Sequence, residues 1–198
     1  MPLTRPDPRQ LSLFGVEAGQ PSPADLAGLL VGSGQVVRMG GTARVSVVVD
    51  DAWRVHVLIA ELAARDLAAT WVHTADQRLG VRTAYAASLA PLGRSWLRGA
   101  IKHPPPDFYL DGRRLRLWAA AAGTGDATGY LLRLGASDRP CWPAAGTALA
   151  AIGLPAELVG RRGGGPAYRI TGRRRLDRLA ELVGERPPAA PVGHWPSR

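Results

Sequence analysis

The chain repeats itself, and that restricts its fold more than any other feature. The stretch Leu26-Ala27-Gly28-Leu29-Leu30-Val31-Gly32-Ser33-Gly34 lies over Leu117-Trp118-Ala119-Ala120-Ala121-Ala122-Gly123-Thr124-Gly125, 91 positions further on (26 to 117). Later, Leu67-Ala68-Ala69-Thr70-Trp71-Val72 lies over Leu154-Pro155-Ala156-Glu157-Leu158-Val159, 87 positions further on (67 to 154). The second spacing also sets Arg82 over Arg169, Leu89 over Leu176 and Leu92 over Leu179. One shortened loop accounts for the difference of four, and the matches keep their order, as a duplicated unit requires. A stiff break, His103-Pro104-Pro105-Pro106-Asp107, stands between the halves.

Each half has the same coarse pattern. An apolar helix ends at Gly32-Ser33-Gly34 or at Gly123-Thr124-Gly125. Strands follow: Gln35 to Met39 and Ala43 to Val49 around a Gly40-Gly41 turn in the first half, and Tyr130 to Leu134 in the second. An amphipathic helix comes next, Trp53 to Leu67, matched by Trp142 to Ile152. Then come Thr70 to Thr74 with Arg78 to Tyr85, matched by Ala156 to Arg161 with Ala167 to Thr171. Closing helices are expected over Leu89 to Ala100 and Arg174 to Val183. The fold class is therefore α+β. The expected divisions are a disordered tail over 1–23, repeat one over 24–103, a linker over 104–112, repeat two over 113–185 and a disordered proline-rich tail over 186–198.

In the first helix Gly28 and Gly32 stand four apart, as do Ala119 and Gly123 in its copy. Small residues at that spacing leave a smooth strip on one face, on which two helices pack closely. An ordinary core helix rich in small residues is the alternative. With its motif Leu26 to Gly34, the chain resembles the LAGLIDADG homing-endonuclease family, and Leu117 to Gly125 stands where the second copy falls. It resembles most the degenerate LAGLIDADG-like domain of the WhiA regulators. That further likeness rests on Leu154 to Val159, Tyr168-Arg169-Ile170, Leu179 to Gly184, and Gly123-Thr124-Gly125 with Tyr130 to Leu134. The resemblance implies two pseudo-symmetric repeats packed through their motif helices, with antiparallel sheets forming a saddle along the DNA major groove. It also implies an acidic residue closing each motif helix, the pair holding divalent metal. Here Ser33 and Thr124 stand at those degenerate catalytic positions, and neutral hydroxyls are poor ligands for hard cations. The expectation is a nuclease-dead domain: not an enzyme, with no catalytic residue, no metal and no cofactor.

Charge supports a polyanionic partner. The net charge is +9 and the isoelectric point about 11.0. Lys102 is the sole lysine, so part of the arginine excess reflects a high-GC composition. The expected strands carry Arg38, Arg44, Arg78, Arg82, Arg133, Arg161, Arg162 and Arg169 as candidate DNA contacts, or as arginines that merely solvate an open sheet face. No apolar run approaches the roughly 18–20 residues that span a bilayer, and the chain starts without a secretory signal pattern. Cys141 is alone and the four histidines lack ligand spacing. Cytoplasmic, nucleoid-associated residence as a monomer is expected, with no membrane partner.

The last motif lies outside the repeats. Gln10-Leu11-Ser12-Leu13-Phe14 resembles the peptide that bacterial replication and repair proteins insert into the β sliding clamp, the β subunit of DNA polymerase III. Glutamine supplies polar contacts there, and spaced Leu and Phe fill apolar pockets. Alternatively Leu11, Leu13 and Phe14 pack on the domain as an arm. The functional expectation is a non-catalytic DNA-binding accessory of replication or repair, tethered to the clamp. The alternative is a WhiA-like transcription regulator or cofactor, and an active homing-type endonuclease is the least favoured reading.

Overall fold

The structure, a computed structural model, describes residue 15, residues 19–160 and residues 165–197. Gln10 to Phe14, Arg161 and Arg162 lie outside the described residues. Ser22 starts the body. Its hydroxyl accepts from the Ala24 N–H at 3.3 Å, and the Asp25 carboxylate accepts from the Ser22 N–H at 2.9 Å. This reciprocal cap, with Pro23 at the first position of the 3-10 turn Pro23–Leu26, starts the chain into α1 (Ala27–Val31).

Two units then follow one plan. The first contains β1 (Gln35–Met39), β2 (Thr42–Val49), α2 (Ala52–Ala63), β3 (Ala69–His73), β4 (Leu79–Thr83) and α3 (Ala90–Trp96). A small hairpin, β5 (Leu97–Arg98) and β6 (Ile101–Lys102), leads on to α4 (Gly112–Ala122). The second unit continues with β7 (Gly123–Asp126), β8 (Gly129–Arg133), α5 (Cys141–Ala151), β9 (Glu157–Val159), β10 (Ala167–Ile170) and α6 (Arg173–Val183). The strand orders are β1-β2-β4-β3 and β7-β8-β10-β9, antiparallel throughout. The same crossed order thus occurs twice, in an α+β fold.

Alternation along β2 sets the layers. Ala43, Val45, Val47 and Val49 are buried, while Thr42, Arg44, Ser46 and Val48 face the other way. Each sheet therefore has a core face against the helices and an outer face. The centre is α4, where Leu115, Leu117, Trp118 and Ala119 to Ala122 are all buried. Its second half, Leu117 to Ala122, is apolar on every side, as a segment inside a protein is.

Three details differ from the sequence expectation. The closing helix of the first half ends at Trp96 rather than Ala100, because Gly99 takes φ +63 and turns the chain into the β5–β6 hairpin. Gly123 ends α4 as expected, but no turn follows it: Gly123–Asp126 is β7, a strand the sequence reading did not include. Residues 186–197 are a packed strap rather than a disordered tail. Ala190 and Trp195 are buried, and the Trp195 indole N–H donates to the Gly184 carbonyl at 3.2 Å. The Arg116 guanidinium lies 5.0 Å from the Trp195 ring centre, and the Tyr130 hydroxyl donates to the His194 carbonyl at 3.1 Å. Prolines restrict the unfolded strap, so fixing it costs little entropy. Trp195→Ala should cost about 3 kcal/mol, a fall in Tm of roughly 6–12 °C for a chain of this size. Thermal unfolding checks this, and an unchanged Tm would show that the strap does not hold the fold.

Candidate nucleic-acid interface

The two units meet through α1 and α4. A Cβ added at Gly28 would overlap the Arg114 carbonyl oxygen and lie 2.6 Å from the carbonyl carbon; one added at Gly32 would lie 2.9 Å from the Trp118 ring. The approach thus depends on the glycines of α1. The expected matching strip on α4 is different. Ala119 is fully buried, but Gly123 faces the Tyr130 phenol, and the surface offered to α1 is the Arg114 backbone and Trp118.

Ser33 sits in the turn between α1 and β1, whereas Thr124 lies inside β7 opposite Leu131. The hairpins pair Met39 with Thr42 and Asp126 with Gly129; two residues before each turn come Val37 and Thr124. By hairpin register Thr124 is level with Val37, whereas by helix end it is level with Ser33, each standing one residue past its C-cap, Gly123 or Gly32. The spacing changes from 91 to 87 between the helix ends and the hairpins, because β7 begins without the turn that follows α1.

Cations occupy both helix ends. From α2, Arg54 donates to the carbonyls of Ala119 at 3.3 Å, Ala120 at 3.0 Å and Gly123 at 2.7 Å, and to the Thr124 hydroxyl at 3.3 Å. Its Nε meets the Asp51 carboxylate at 3.4 Å. At the end of α1, Lys102 Nζ donates to the carbonyls of Gly32 at 3.0 Å and Gly34 at 2.6 Å, and pairs with Asp138 at 2.8 Å. Helix C-termini carry unsatisfied carbonyls and partial negative charge, which suits both cations. Burial pushes the Arg54 pKa below the ordinary guanidinium value, while the nearby Tyr130 and Asp51 oppose that shift. Sequence reasoning missed Arg54 and Lys102. The available signal was their carboxylate partners: Asp51 and Asp138 stand 87 apart, at the repeat spacing, each ahead of an outer helix.

These ends do not fit the divalent metal that the resemblance implies. Each offers carbonyl oxygens and a single carboxylate, Asp51 or Asp138, all engaged by Arg54 or Lys102, where a hard metal needs several free anionic oxygens. Among the described residues no three His, Cys, Asp or Glu side chains gather as a metal group. Cys141 is buried against α1, and desolvation pushes its thiol up to about 11.

The candidate arginines separate into groups. Arg44 and Arg82 lie on the outer face of the first sheet with Ser46 and Thr70, as the pairings Ser46–Arg82 and Thr70–Arg82 show. Arg133 and Arg169 lie on the outer face of the second. Arg169 is paired with Asp126 at 3.1 Å and stands across from Glu157, so its charge is largely balanced there. Arg38 is not on the outer face: it pairs with Ala43, and its stem packs on the helix side beside Gly93. Arg78 stands in the β3–β4 turn, held by Asp76 at 2.7 Å. The outer face of the first sheet also exposes Val37, Met39, Val48 and Val72, an apolar content that the arginine count did not reveal.

This architecture is the LAGLIDADG homing-endonuclease fold. The chain is similar to the homing endonuclease I-WcaI, solved bound to its DNA recognition sequence, with a TM-score of 0.59 and 12% identity over 90% of this chain and 88% of that one. The structure of I-DmoI in complex with DNA and calcium matches at a TM-score of 0.47 and 17% identity, over 84% of this chain and 93% of that one. No protein-family model matches the chain, and no curated protein matches it in sequence. The expectation that the chain is not an enzyme is corrected: the fold it shares with I-WcaI is an enzyme's fold.

Proposed function

We propose that this chain is a DNA-binding protein that lays the outer faces of its two sheets along duplex DNA. We propose further that Gln10 to Phe14 tether it to the β sliding clamp as an accessory of replication or repair at the nucleoid. The observation that carries the reading is the doubled four-stranded sheet, with Arg44 and Arg82 on one outer face and Arg133 and Arg169 on the other. A paired β-ribbon fits the major groove, where arginine reads guanine and apolar groups meet thymine methyls. The match to a DNA-bound homing endonuclease and the net charge of +9 support it. Two weak contacts on one clamp-loaded duplex reinforce each other through effective concentration.

A second reading, a WhiA-like regulator whose domain meets a protein partner, is favoured by the exposed Val37, Met39, Val48 and Val72. Binding of the whole chain to purified β clamp separates the two, with wild type beside Leu13→Ala/Phe14→Ala. The wild type should bind and the variant should not, with Tm unchanged. Failure of the wild type to bind removes the tether and favours the regulator. A large loss of Tm in the variant instead shows that these side chains pack on the domain.

A further inference from the structure

Helix α6 carries charge at the wrong end for its own stability. Arg173, Arg174 and Arg175 fill its first turn, all three exposed, with no acidic residue among them and no side-chain cap at Gly172. A helix N-terminus is partially positive and favours acidic groups, so three consecutive cations oppose the dipole. Apart from a long hydrogen bond from Arg175 to the Thr171 carbonyl at 3.5 Å, they are not part of the packing: α6 is held through Leu179, Ala180, Leu182 and Val183, further along. Among the described residues no ion pair engages the three arginines, and the helix's own pair, Arg178 with Glu181 at 3.1 Å, lies beyond them.

The run belongs to one half only. The corresponding helix α3 reads Ala-Pro-Leu-Gly-Arg-Ser-Trp, with Arg94 alone and in the last turn. Position adds the reason. Strand β10 ends at Ile170, paired with Tyr130 next to the β7–β8 turn, and α6 starts three residues later. Arg169, on the outer face of the second sheet, is tied to Asp126 of that turn. The three arginines therefore stand just past the end of β10, at the end of the second sheet that carries the β7–β8 turn. Beside them an open groove is lined by Arg173, Arg174, Arg178 and Ser197, with Asp177 one turn and Glu181 two turns further along.

We propose that Arg173, Arg174 and Arg175 grip the phosphate backbone of duplex DNA beyond the sheet faces, so that the second half alone supplies the electrostatic anchor. The inference rests on the DNA-binding reading and adds which half holds the backbone. Long exposed guanidiniums on a helix end suit phosphates and carry no base code of their own.

The test is the salt dependence of duplex binding by the full chain. Wild type is compared with Arg173→Gln/Arg174→Gln/Arg175→Gln and with Arg44→Gln/Arg82→Gln. Each phosphate contact contributes about 0.9 to the slope of log affinity against log salt. The triple variant should thus flatten the slope by roughly 2 to 3, a 15- to 60-fold smaller loss between 50 and 200 mM salt. The Arg44/Arg82 pair should change affinity with a smaller effect on slope. The triple variant should fold, with a Tm equal to or above that of wild type, since cations have been removed from a helix N-terminus. A wild type that binds with a steep slope retained by the triple variant overturns the inference and leaves the DNA reading intact. A wild type that binds no duplex overturns both.

Discussion

Arg54→Ala should cost about 4 kcal/mol of folding stability, one of the largest effects available in this chain. Arg54 is 5% exposed, and its guanidinium is shared by the Ala119, Ala120 and Gly123 carbonyls and the Thr124 hydroxyl. Truncation takes the charged donor from all of them: Ala119 keeps the Gly123 N–H and Gly123 keeps the Thr124 hydroxyl, while Ala120 loses the guanidinium, at about 1–3 kcal/mol for a buried group left unsatisfied. The values do not add in full, because the groups share one donor and relax together. The contact also joins the halves, since Arg54 comes from α2 of the first and the carbonyls from the second. Denaturation in urea should show a lower midpoint with an unchanged slope. Arg54→Lys should fall between, because an ammonium lacks the planar fork that reaches several carbonyls at once. A loss below about 1 kcal/mol in the alanine variant would mean that water takes the place of the guanidinium.

Gly28→Val should do at least as much damage, by a different route. The atom it would strike is the Arg114 carbonyl oxygen, part of the α4 backbone, and the same Cβ would lie 2.8 Å from the Arg114 Cα. A side chain in the way can turn aside; a helix backbone cannot. The helices must separate, and with them the layer holding Leu29, Leu30 and Trp118, all nearly inaccessible to solvent. Overpacking ordinarily costs about 1–3 kcal/mol. With two helices to displace, about 4 kcal/mol or failure to fold is expected, a large part of the roughly 5–15 kcal/mol that holds a domain together. Gly32→Ala is the internal comparison. Its new methyl would meet the Trp118 ring at 2.9 Å, and a side chain can shift, so the cost should be nearer 1–2 kcal/mol. If both variants unfold at the same denaturant concentration, backbone contact does not set the helix spacing.

Both predictions concern places where sequence and structure tell different parts of the account. The duplication was legible because each copy must bury the same faces: the alternation in Thr42 to Val49 and the apolar run of Leu26 to Val31 follow directly from strand and helix periods. The outward placement of Arg44, Arg82, Arg133 and Arg169 follows from the same two-residue period once strand register is known. Arg38 shows the limit, since one residue of register moves a side chain to the opposite face.

By itself, then, the sequence determined that two related α+β units exist, where most of their strands fall, and that Gly28 and Gly32 make a close helix contact. Local period and side-chain size encode all of that. Only the tertiary structure decided what the contact meets, what fills the helix ends and whether a proline-rich segment packs. Arg54 lies 65 residues from the Ala119 carbonyl it caps, and Lys102 lies 70 from the carbonyl of Gly32. Trp195 finds its place only because Gly184, Arg116 and the neighbouring core are already assembled. Each of these satisfies a buried polar group or fills a space that exists only after the halves have met, so no local pattern announces it.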